Sequence, residues 1–312
     1  MTVASIETAA EEPILSRPPR SPLQDALRAL VHTRSAIIGA VILFVLVVVA
    51  IFAPVIAPYP PNEPLIGIEP VRSRDAPCIH LLGCPANRPQ HILGLDGNVR
   101  DLFSRVIYGS RVSLMIGFTT VGFAIVIGIF LGALAGYAGG WGDNTVMRLM
   151  DVLLAFPALL LAIAIVTVLG PGLVNALLAI GIVAIPVYAR VARASVLSTK
   201  EQEFVTASRM IGAPPSRILF KNILPHTFTP LIVIGTLGIA SAILDAAALS
   251  FLGLGAQPPL AEWGSMLGQE RNQVFTAPHL VFFPGLMIMV TVLAFNLLGD
   301  GLRDALDPRL RK

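Results

Sequence analysis

Side chains that could do chemistry are few in this 312-residue sequence. Cys78 and Cys84 are its only two cysteines, and two histidines, His80 and His91, lie near them. The cysteines could form a disulfide or, together with the histidines, bind zinc, although the spacing matches no common zinc-finger pattern. The remaining candidate is the carboxylate of Asp245, which lies inside a long apolar run, where a charged group is costly and usually functional.

A different chemical feature is the polar segment 203–225, EFVTASRMIGAPPSRILFKNILP, which separates two long apolar runs. Residues 199–211 can form one helix, with Glu203 in its first turns, where the helix dipole favours an acidic side chain. Ala207 and Ser208 are small enough to allow the close approach of another backbone. This half of the segment is therefore predicted to be a helix with a contact surface.

The second half of the segment contains residues that end and start helices. Gly212 is expected to end the first helix, and Pro214 and Pro215 cannot continue a helix but can begin one. A second short helix over 216–222 is predicted to stop at Pro225. The two helices would meet at a tight corner and form a rigid projection. An ordinary basic loop would not need small residues, a glycine and prolines at these positions.

The elements that carry these residues are predicted to be membrane helices. Apolar residues make up 55% of the sequence and charged residues only 13%, too few for the surface of a soluble protein of this length. A helix needs roughly 20 apolar residues to cross a bilayer core of about 30 Å. An all-α integral membrane protein with six spans is expected. We place the spans at 35–58, 112–138, 152–169, 174–193, 228–250 and 277–298.

The distribution of Lys and Arg predicts how the chain crosses the membrane. With the amino terminus in the cytoplasm, fifteen of the 22 basic residues fall in cytoplasmic segments, as the positive-inside rule requires. Both termini and the segment 203–225 are then cytoplasmic, and residues 59–111 are extracytoplasmic. A disulfide between Cys78 and Cys84 is favoured over a zinc site there, because an oxidising compartment permits it. The net charge of +3 reflects this topology and indicates no nucleic-acid partner.

The predicted spans divide the chain into five parts. They are a cytoplasmic tail with a short amphipathic helix (1–34), the first transmembrane helix (35–58), an extracytoplasmic loop (59–111), a five-helix core that includes a cytoplasmic loop at 195–226 (112–299), and a cytoplasmic tail (300–312). Within the extracytoplasmic loop, residues 59–105 are rich in proline and poor in periodic apolar residues. That part is expected to be irregular rather than a compact domain.

Several function classes are disfavoured by what the sequence lacks. No GxxxxGK[ST] motif occurs, so nothing in the chain is expected to bind nucleotide phosphates. The apolar runs contain almost no ionisable groups, and no combination of nucleophile, base and acid indicates catalysis, so the chain is not expected to be an enzyme by itself. A stand-alone secondary transporter would be expected to have several intramembrane charges and an internal repeat. A scaffold without transport would leave the segment 203–225 unexplained.

The segment 203–225 resembles the loop shared by permease subunits of ABC importers, which reads EAA, three residues, Gly, nine residues and I-x-L-P. The residues that fall on this spacing are Thr206, Ala207, Ser208, Gly212, Leu224 and Pro225. Two positions depart from the pattern, since Thr206 stands where the family usually has Glu and Asn222 where it often has Ile. The resemblance implies that this segment contacts cytoplasmic ATPases.

Further segments are similar to the C-type membrane subunits of dipeptide and oligopeptide ABC importers, and together they span nearly the whole chain. They are HILGLDGNVRDLFSRVIYGSRVSLMIG (91–117), GYAGGWGDNTVMRLMDVLLAFPALLLAI (136–163), ALSFLGLGAQPPLAEWGSML (248–267) and FPGLMIMVTVLAFNLLGDGLRDALDPRLR (283–311). In the segment 91–117, Asn98 and Val99 stand just before Arg100, where the branch usually has a different residue followed by glycine. The motifs and their order identify the chain as a member of this branch.

The resemblance implies a type I ABC importer permease fold and a division of labour among subunits. The chain would pair with a homologous second permease in the bacterial inner membrane, above two cytoplasmic ATP-binding cassette subunits. An extracytoplasmic peptide-binding protein would dock outside, where residues 59–105 would contact it or cap the outer vestibule. The ATPases would use ATP and Mg²⁺, and this chain would bind no cofactor and no metal. Relatives also transport nickel, glutathione and other small solutes, so the substrate stays open.

The resemblance also implies roles for individual residues. The residues expected to couple the chain to the ATPases are Glu203, Thr206, Ala207, Ser208, Gly212, Ala213, Pro214, Arg217, Leu224 and Pro225. For Asp245, a costly carboxylate in an apolar run at a position where the resembled branch usually has an acid, three roles are open: it would face the translocation pathway, attract a peptide amino terminus, or pair with a basic residue of the partner permease. In the alternative interpretation, the helix ends near Asp245 and leaves the carboxylate at the outer water boundary.

Overall fold

The computed structural model describes residues 33–306, and the regular secondary structure in this range is helical. The longer helices, numbered in chain order, are α1 (Arg34–Ile51), α2 (Leu102–Ala138), α3 (Gly140–Leu154), α4 (Ala158–Leu169), α5 (Leu173–Lys200), α6 (Glu203–Met210), α7 (Leu224–Phe251), α8 (Trp263–Glu270) and α9 (His279–Leu306). A short helix, Ala53–Ile56, follows α1. The predicted amphipathic helix of the amino-terminal tail and the last six residues, 307–312, lie outside the described residues.

The long helices confirm the all-α membrane fold. Five helices of the described chain are long and apolar enough to cross a membrane singly, and α3 and α4 form a sixth span if this pair, bent by 91°, is counted as one. The third span is therefore broken rather than straight. Pro157, the residue that precedes α4, lies at this break. The helix is interrupted there because proline cannot continue it.

Helix α2 begins well before the predicted start at residue 112. Its first residue is Leu102, and the side chain of Asp101 caps it by accepting a hydrogen bond from the amide of Ser104 at 2.7 Å. The predicted loop 59–111 is therefore too long, and the helical core begins at residue 102. The first turns of α2 carry polar side chains, which contact other parts of the protein. They therefore fall outside the apolar run from which this span was predicted.

Helices α3 and α5 also extend past the apolar runs that predicted them. The expected spans 152–169 and 174–193 left out the polar ends of these helices. Arg190 pairs with Asp151, and Arg193 pairs with Asp143. These two ion pairs join α3 to α5, so charged turns continue both helices beyond the apolar stretches.

The centre of the bundle is the close contact of α2 with α5. Gly132 lies directly against the backbone of Ala189: a Cβ atom on Gly132 would come within 2.1 Å of the carbonyl oxygen of Ala189. Only glycine allows two helix backbones to approach so closely, as is common between membrane helices. The pair α2 and α5 is therefore a tightly packed unit on which the other helices lie.

The two ends of the bundle carry different segments. Helices α2 and α9 both begin beside residues 59–101, since Asp101 caps α2 and His279 lies against Gly94. Their last turns therefore lie at the other end of the bundle, where the segment 203–225 packs on α2 and Ala36 of α1 contacts Gly301 of α9. We call this the hairpin end. Helix α9 therefore continues past the predicted limit of its span at residue 298. The opposite end carries residues 59–101 and α8, and we call it the loop end.

Candidate coupling segment and membrane cavity

The candidate coupling segment, residues 203–225, is a helical hairpin. Its first arm is α6, Glu203–Met210, and the corner that follows contains Gly212, a residue in the left-handed conformation with φ of +79°. The amide of Gly212 donates to the carbonyl of Arg209, and the amide of Ala213 donates to the carbonyl of Ser208, a pattern that ends helices. Because L-residues rarely adopt this conformation, Gly212 fixes the corner between the two arms.

The first arm is shorter than the predicted helix over 199–211. Helix α5 ends at Lys200, and α6 begins only at Glu203. Gln202 between them has an extended backbone. The break lets α6 leave the axis of α5, so the hairpin is a separate element and not an extension of the span before it.

The second arm runs without a break into α7. It begins with the turn Pro215–Arg217 and continues through a π-helical turn, Ile218–Ile223. The prediction that Pro225 stops this helix is wrong: Pro225 directly follows the π-helical turn and lies in the first turn of α7, and helical residues continue on both sides of it. Residues Pro215–Phe251 form one helix of 37 residues, so a displacement of the second arm moves α7 with it.

The hairpin is fastened to the core by apolar contacts and by one polar contact between its arms. The buried side chains of the apolar cluster are Ala133, Val196, Val205, Ile218, Leu219 and Ile223. They join the hairpin to the ends of α2 and α5. The side chain of Asn222 donates a hydrogen bond to the hydroxyl of Ser208 at 2.7 Å. Asn222, which departs from the family pattern, thus has a partner inside the hairpin.

The predicted coupling residues differ in exposure. The half-buried ones are Ser208, Ala213 and Leu224, and the exposed ones are Glu203, Thr206, Ala207, Gly212, Pro214, Arg217 and Pro225. Sequence reasoning missed two neighbours, Met210 and Ile211, whose apolar side chains are 85% and 84% exposed. Adjacent exposed apolar side chains in a polar segment are typical of a surface that a partner covers.

A cavity of about 330 Å³, open on one side, lies among α2, α3, α4, α5 and α7. Its walls are mostly apolar, with side chains such as Leu153, Ile180 and Leu237. Asp245 lines this cavity and is half-buried. Helix α7 continues for six residues beyond Asp245 and ends at Phe251.

The cysteines and the nearby histidines do not come together as metal ligands. Cys78 and Cys84 are joined by a disulfide. His80 lies 2.8 Å from the carbonyl oxygen of Arg88, while His91 contacts carboxylates elsewhere. Within residues 33–306, no group of three or more His, Cys, Asp or Glu side chains is arranged to bind a metal ion.

His91 lies between two carboxylates at the loop end and is only 3% exposed. Its Nδ1 is 2.9 Å from Asp101 Oδ1, and its Nε2 is 3.1 Å from Glu69 Oε2. Burial alone would lower the pKa of His91, but the two carboxylates outweigh burial and raise this pKa. Tyr59 donates to Glu69 Oε1 at 3.0 Å, and burial together with Glu69 raises the pKa of Tyr59 to about 12.

A buried ionic cluster at the loop end was not predicted. At its centre, Asp96 Oδ2 accepts a hydrogen bond from Arg100 Nε at 2.7 Å and lies 3.3 Å from Arg105 Nε. All three side chains are almost fully buried. The sequence feature that could have indicated this cluster is the density of opposite charges in LDGNVRDLFSR (95–105). These charges pair with one another and hold an irregular segment in place.

Further contacts anchor the loop-end segment to α8 and α2. The carboxylate of Glu270 pairs with Arg74 at 3.0 Å and accepts a hydrogen bond from the amide of Gly97 at 2.8 Å. The indole of Trp263, which is fully buried, donates to the carbonyl of Val106 at 3.0 Å. Two of the sequence motifs that carry the resemblance, 91–117 and 248–267, thus pack against each other.

Comparison with protein families gives matches over both parts of the chain. The family model described as "Binding-protein-dependent transport system inner membrane component" matches residues 128–312, which include the hairpin and most of the cavity walls. The model described as "N-terminal TM domain of oligopeptide transport permease C" matches residues 21–73.

Curated relatives match along almost the entire chain. The di/tripeptide transport system permease protein DppC of Pseudomonas aeruginosa is 46% identical, over 97% of this chain and 96% of the relative. The dipeptide transport system permease protein DppC of Haemophilus influenzae is 43% identical, over 94% and 97%. The glutathione transport system permease protein GsiD of Escherichia coli is 45% identical, over 94% and 92%.

The fold is similar to that of a solved membrane transporter. A chain of the MetNI methionine ABC transporter, in an inward-facing conformation, aligns with a TM-score of 0.54 and 20% sequence identity. The alignment covers 64% of this chain and 96% of the transporter chain. At this identity the likeness concerns the fold alone.

Proposed function

Because the chain belongs to the family of binding-protein-dependent transport system inner membrane components, we propose that it is the permease subunit of an ATP-driven importer of short peptides. The observation that carries this proposal is the exposed hairpin 203–225, whose second arm is continuous with α7. A soluble partner that moves this hairpin moves a wall of the membrane cavity. The chain then converts the motion of an ATPase into a change of the translocation pathway.

The coupling of ATPase motion to the cavity depends on two rigid connections within the chain. Closure of two partner ATPases upon ATP binding draws the hairpin inward, and α7 follows because residues 215–251 are one helix. The tight contact at Gly132 makes α2 and α5 move together. The cavity lies between this unit and α7, so its walls shift relative to each other and the pathway opens outward. Hydrolysis of ATP reverses the motion.

The proposal also assigns a direction and a set of partners. The hairpin end faces the cytoplasm of a bacterial cell, and the loop end faces the outer side of the inner membrane. A homologous second permease completes the pathway, and a peptide-binding protein docks at the loop end near residues 59–101. ATP and Mg²⁺ are bound by two ATPase subunits, so this chain has no nucleotide site and performs no catalysis itself.

The names of the relatives support a short peptide as the substrate. Two of them are permeases for dipeptides or tripeptides. Glutathione is the second candidate, because a glutathione permease is 45% identical to this chain. Glutathione is itself a modified tripeptide, so both candidates fall in one chemical class.

The coupling proposal is tested by co-purification of the ATPase subunits with this chain. We expect the wild-type chain to bring down the ATPases and Gly212→Asp to lose them, because an L-residue at φ of +79° strains the corner by about 1–3 kcal/mol. Gly140→Asp is a matched control: Gly140 is an exposed glycine at the hairpin end with φ of +60°, outside the hairpin. Equal ATPase binding by Gly212→Asp and the wild type, or equal loss in both variants, would contradict the proposal.

A further inference from the structure

The cavity of the bundle combines a largely apolar wall with a single charged side chain. Among the residues that line its 330 Å³, Asp245 is the only ionisable carboxylate, and Ser241 and Tyr188 carry hydroxyl groups. Small-molecule sites are usually apolar cavities of about 300–1,000 Å³ with a few polar groups that fix the orientation of the ligand. The cavity has both the size and the composition of such a site.

The carboxylate of Asp245 has no partner within the described chain. No hydrogen bond or ion pair to it is formed by residues 33–306. Gly238, Ser241 and Ala242 line the cavity with it, and their spacing places all four residues on one face of α7. An unpaired carboxylate inside a membrane bundle is costly, so this arrangement favours a cation as its partner.

The chemistry of the candidate substrates indicates which cation. Dipeptides and tripeptides carry a protonated amino group next to an uncharged peptide backbone. Glutathione also carries a protonated amino group, but a free carboxylate lies beside it on the same carbon. A metal ion is disfavoured, because no group of three or more His, Cys, Asp or Glu side chains in the described chain is arranged to bind one. A single carboxylate is sufficient to bind an ammonium group by a charge-assisted hydrogen bond.

We propose that Asp245 binds the protonated α-amino group of a peptide inside the membrane cavity, an inference that rests on the transport function proposed above. The carboxylate repels the carboxyl end of the same peptide, which therefore points away from α7. The apolar walls contact the peptide side chains without selecting among them. The cavity thus recognises the amino end that all short peptides share.

The test uses the scarcity of cysteine in this chain. Both cysteines of the sequence are in the disulfide, so Ser241→Cys introduces one free thiol, one helical turn from Asp245. The assembled transporter is labelled with a cationic methanethiosulfonate, carrying a trimethylammonium group, and with an anionic one, carrying a sulfonate. Modification of this chain is measured by mass spectrometry.

Two results are expected. The cationic reagent should react about ten-fold or more faster than the anionic one, after correction for their rates with free cysteine, because the nearby carboxylate attracts the first reagent and repels the second. Millimolar dialanine should slow labelling several-fold, whereas N-acetyl-dialanine, which lacks the ammonium group, should not. Adding Asp245→Asn should abolish both effects, and Asp245→Glu should retain them.

Other outcomes overturn the inference. Equal protection by dialanine and N-acetyl-dialanine, or unchanged reagent selectivity with Asp245→Asn, would show that the carboxylate does not bind the amino group. Protection by Ni²⁺ and not by dialanine would assign the site to a metal ion instead. ATP-dependent uptake of dialanine by the wild-type transporter is measured in parallel. Its absence would overturn the transport function itself, whereas uptake without the labelling effects would overturn only the role of Asp245.

Discussion

The two ends of the bundle use polar side chains in opposite ways. At the loop end, Asp96, Arg100 and Arg105 are each at most 5% exposed, and they pair with one another. At the hairpin end, Glu203 and Arg217 are exposed, and neither forms an ion pair with another described residue. The buried cluster at the loop end is completed within the chain, whereas the hairpin 203–225 offers its polar and apolar groups to the solvent.

This difference predicts that the buried ion pairs govern the stability of the chain and that the exposed hairpin governs its assembly with partners. Removing one member of a buried ion pair leaves an unpaired charge in the interior and costs about 3–5 kcal/mol. A substitution on an exposed surface usually changes stability by no more than about 0.5 kcal/mol. Substitutions in the buried cluster Asp96, Arg100 and Arg105 should therefore unfold the chain. Substitutions of exposed residues in the hairpin 203–225 should spare the fold but weaken its contact with partners.

The largest effect is expected from Asp96→Ala at the loop end. This change leaves Arg100 and Arg105 buried without their shared carboxylate, and it should lower stability by about 3–5 kcal/mol. Thermal unfolding of the purified protein and its yield in membranes measure this loss. Glu63→Ala is the matched control, because Glu63 is an exposed carboxylate in the same segment. A variant at position 96 that is as stable as the control would show that the cluster is not a structural anchor.

A smaller effect is expected from the titration of His91. The carboxylates of Asp101 and Glu69 raise its pKa above the ordinary value of 6.5. The contribution of protonated His91 to the stability of the fold is therefore fully present below about pH 6.5. This contribution is lost as the pH rises through the pKa of His91 in the folded state.

The check is the difference in Tm between the wild type and His91→Gln, followed from about pH 6 to about pH 9. Glutamine can make hydrogen bonds but does not titrate, so the difference isolates the charge of the imidazole. We expect the wild type to be more stable at the acidic end and the advantage to shrink toward alkaline pH. A difference that grows with pH would contradict the assignment of a raised pKa.

The smallest effect on the chain itself is expected from Asn222→Ala in the hairpin. This change removes the hydrogen bond from Asn222 to Ser208, which is expected to contribute about 1 kcal/mol. The overall Tm should hardly change, but the ratio of peptide transported to ATP hydrolysed should fall because the two arms are less firmly joined. Ser216→Ala, at an exposed position of the same hairpin, should leave the ratio unchanged. A fall in both variants would mean that the bond between the arms has no particular role.

The apolar pattern of the sequence was sufficient to predict the class of the fold and the location of the spans. Each span is a long run of apolar residues, and its helix can be recognised without knowledge of its neighbours. The helix ends were less predictable, because α2 and α3 continue into polar turns that are stabilised by residues distant in the sequence. The pair Asp143 and Arg193, which are 50 residues apart, is one example.

The candidate sites were predictable to different degrees. The corner of the hairpin could be read from Gly212 because the requirement for glycine is local. The continuity of the helix across Pro225 could not be predicted from the sequence, since it depends on whether the turns before and after the proline share one axis. At the loop end, Arg74 pairs with Glu270 across 196 residues of sequence, so these charges could be noticed in the sequence but their pairing could not be predicted.

Hydrogen exchange of this chain in the assembled transporter, measured with and without the ATPase subunits, tests the contrast between the two ends most directly. We expect the addition of the ATPases to slow exchange in residues 203–225 and to leave residues 59–101 unchanged, because the ATPases bind the hairpin and not the loop end. Unchanged exchange across 203–225, with slower exchange at the loop end instead, would contradict it.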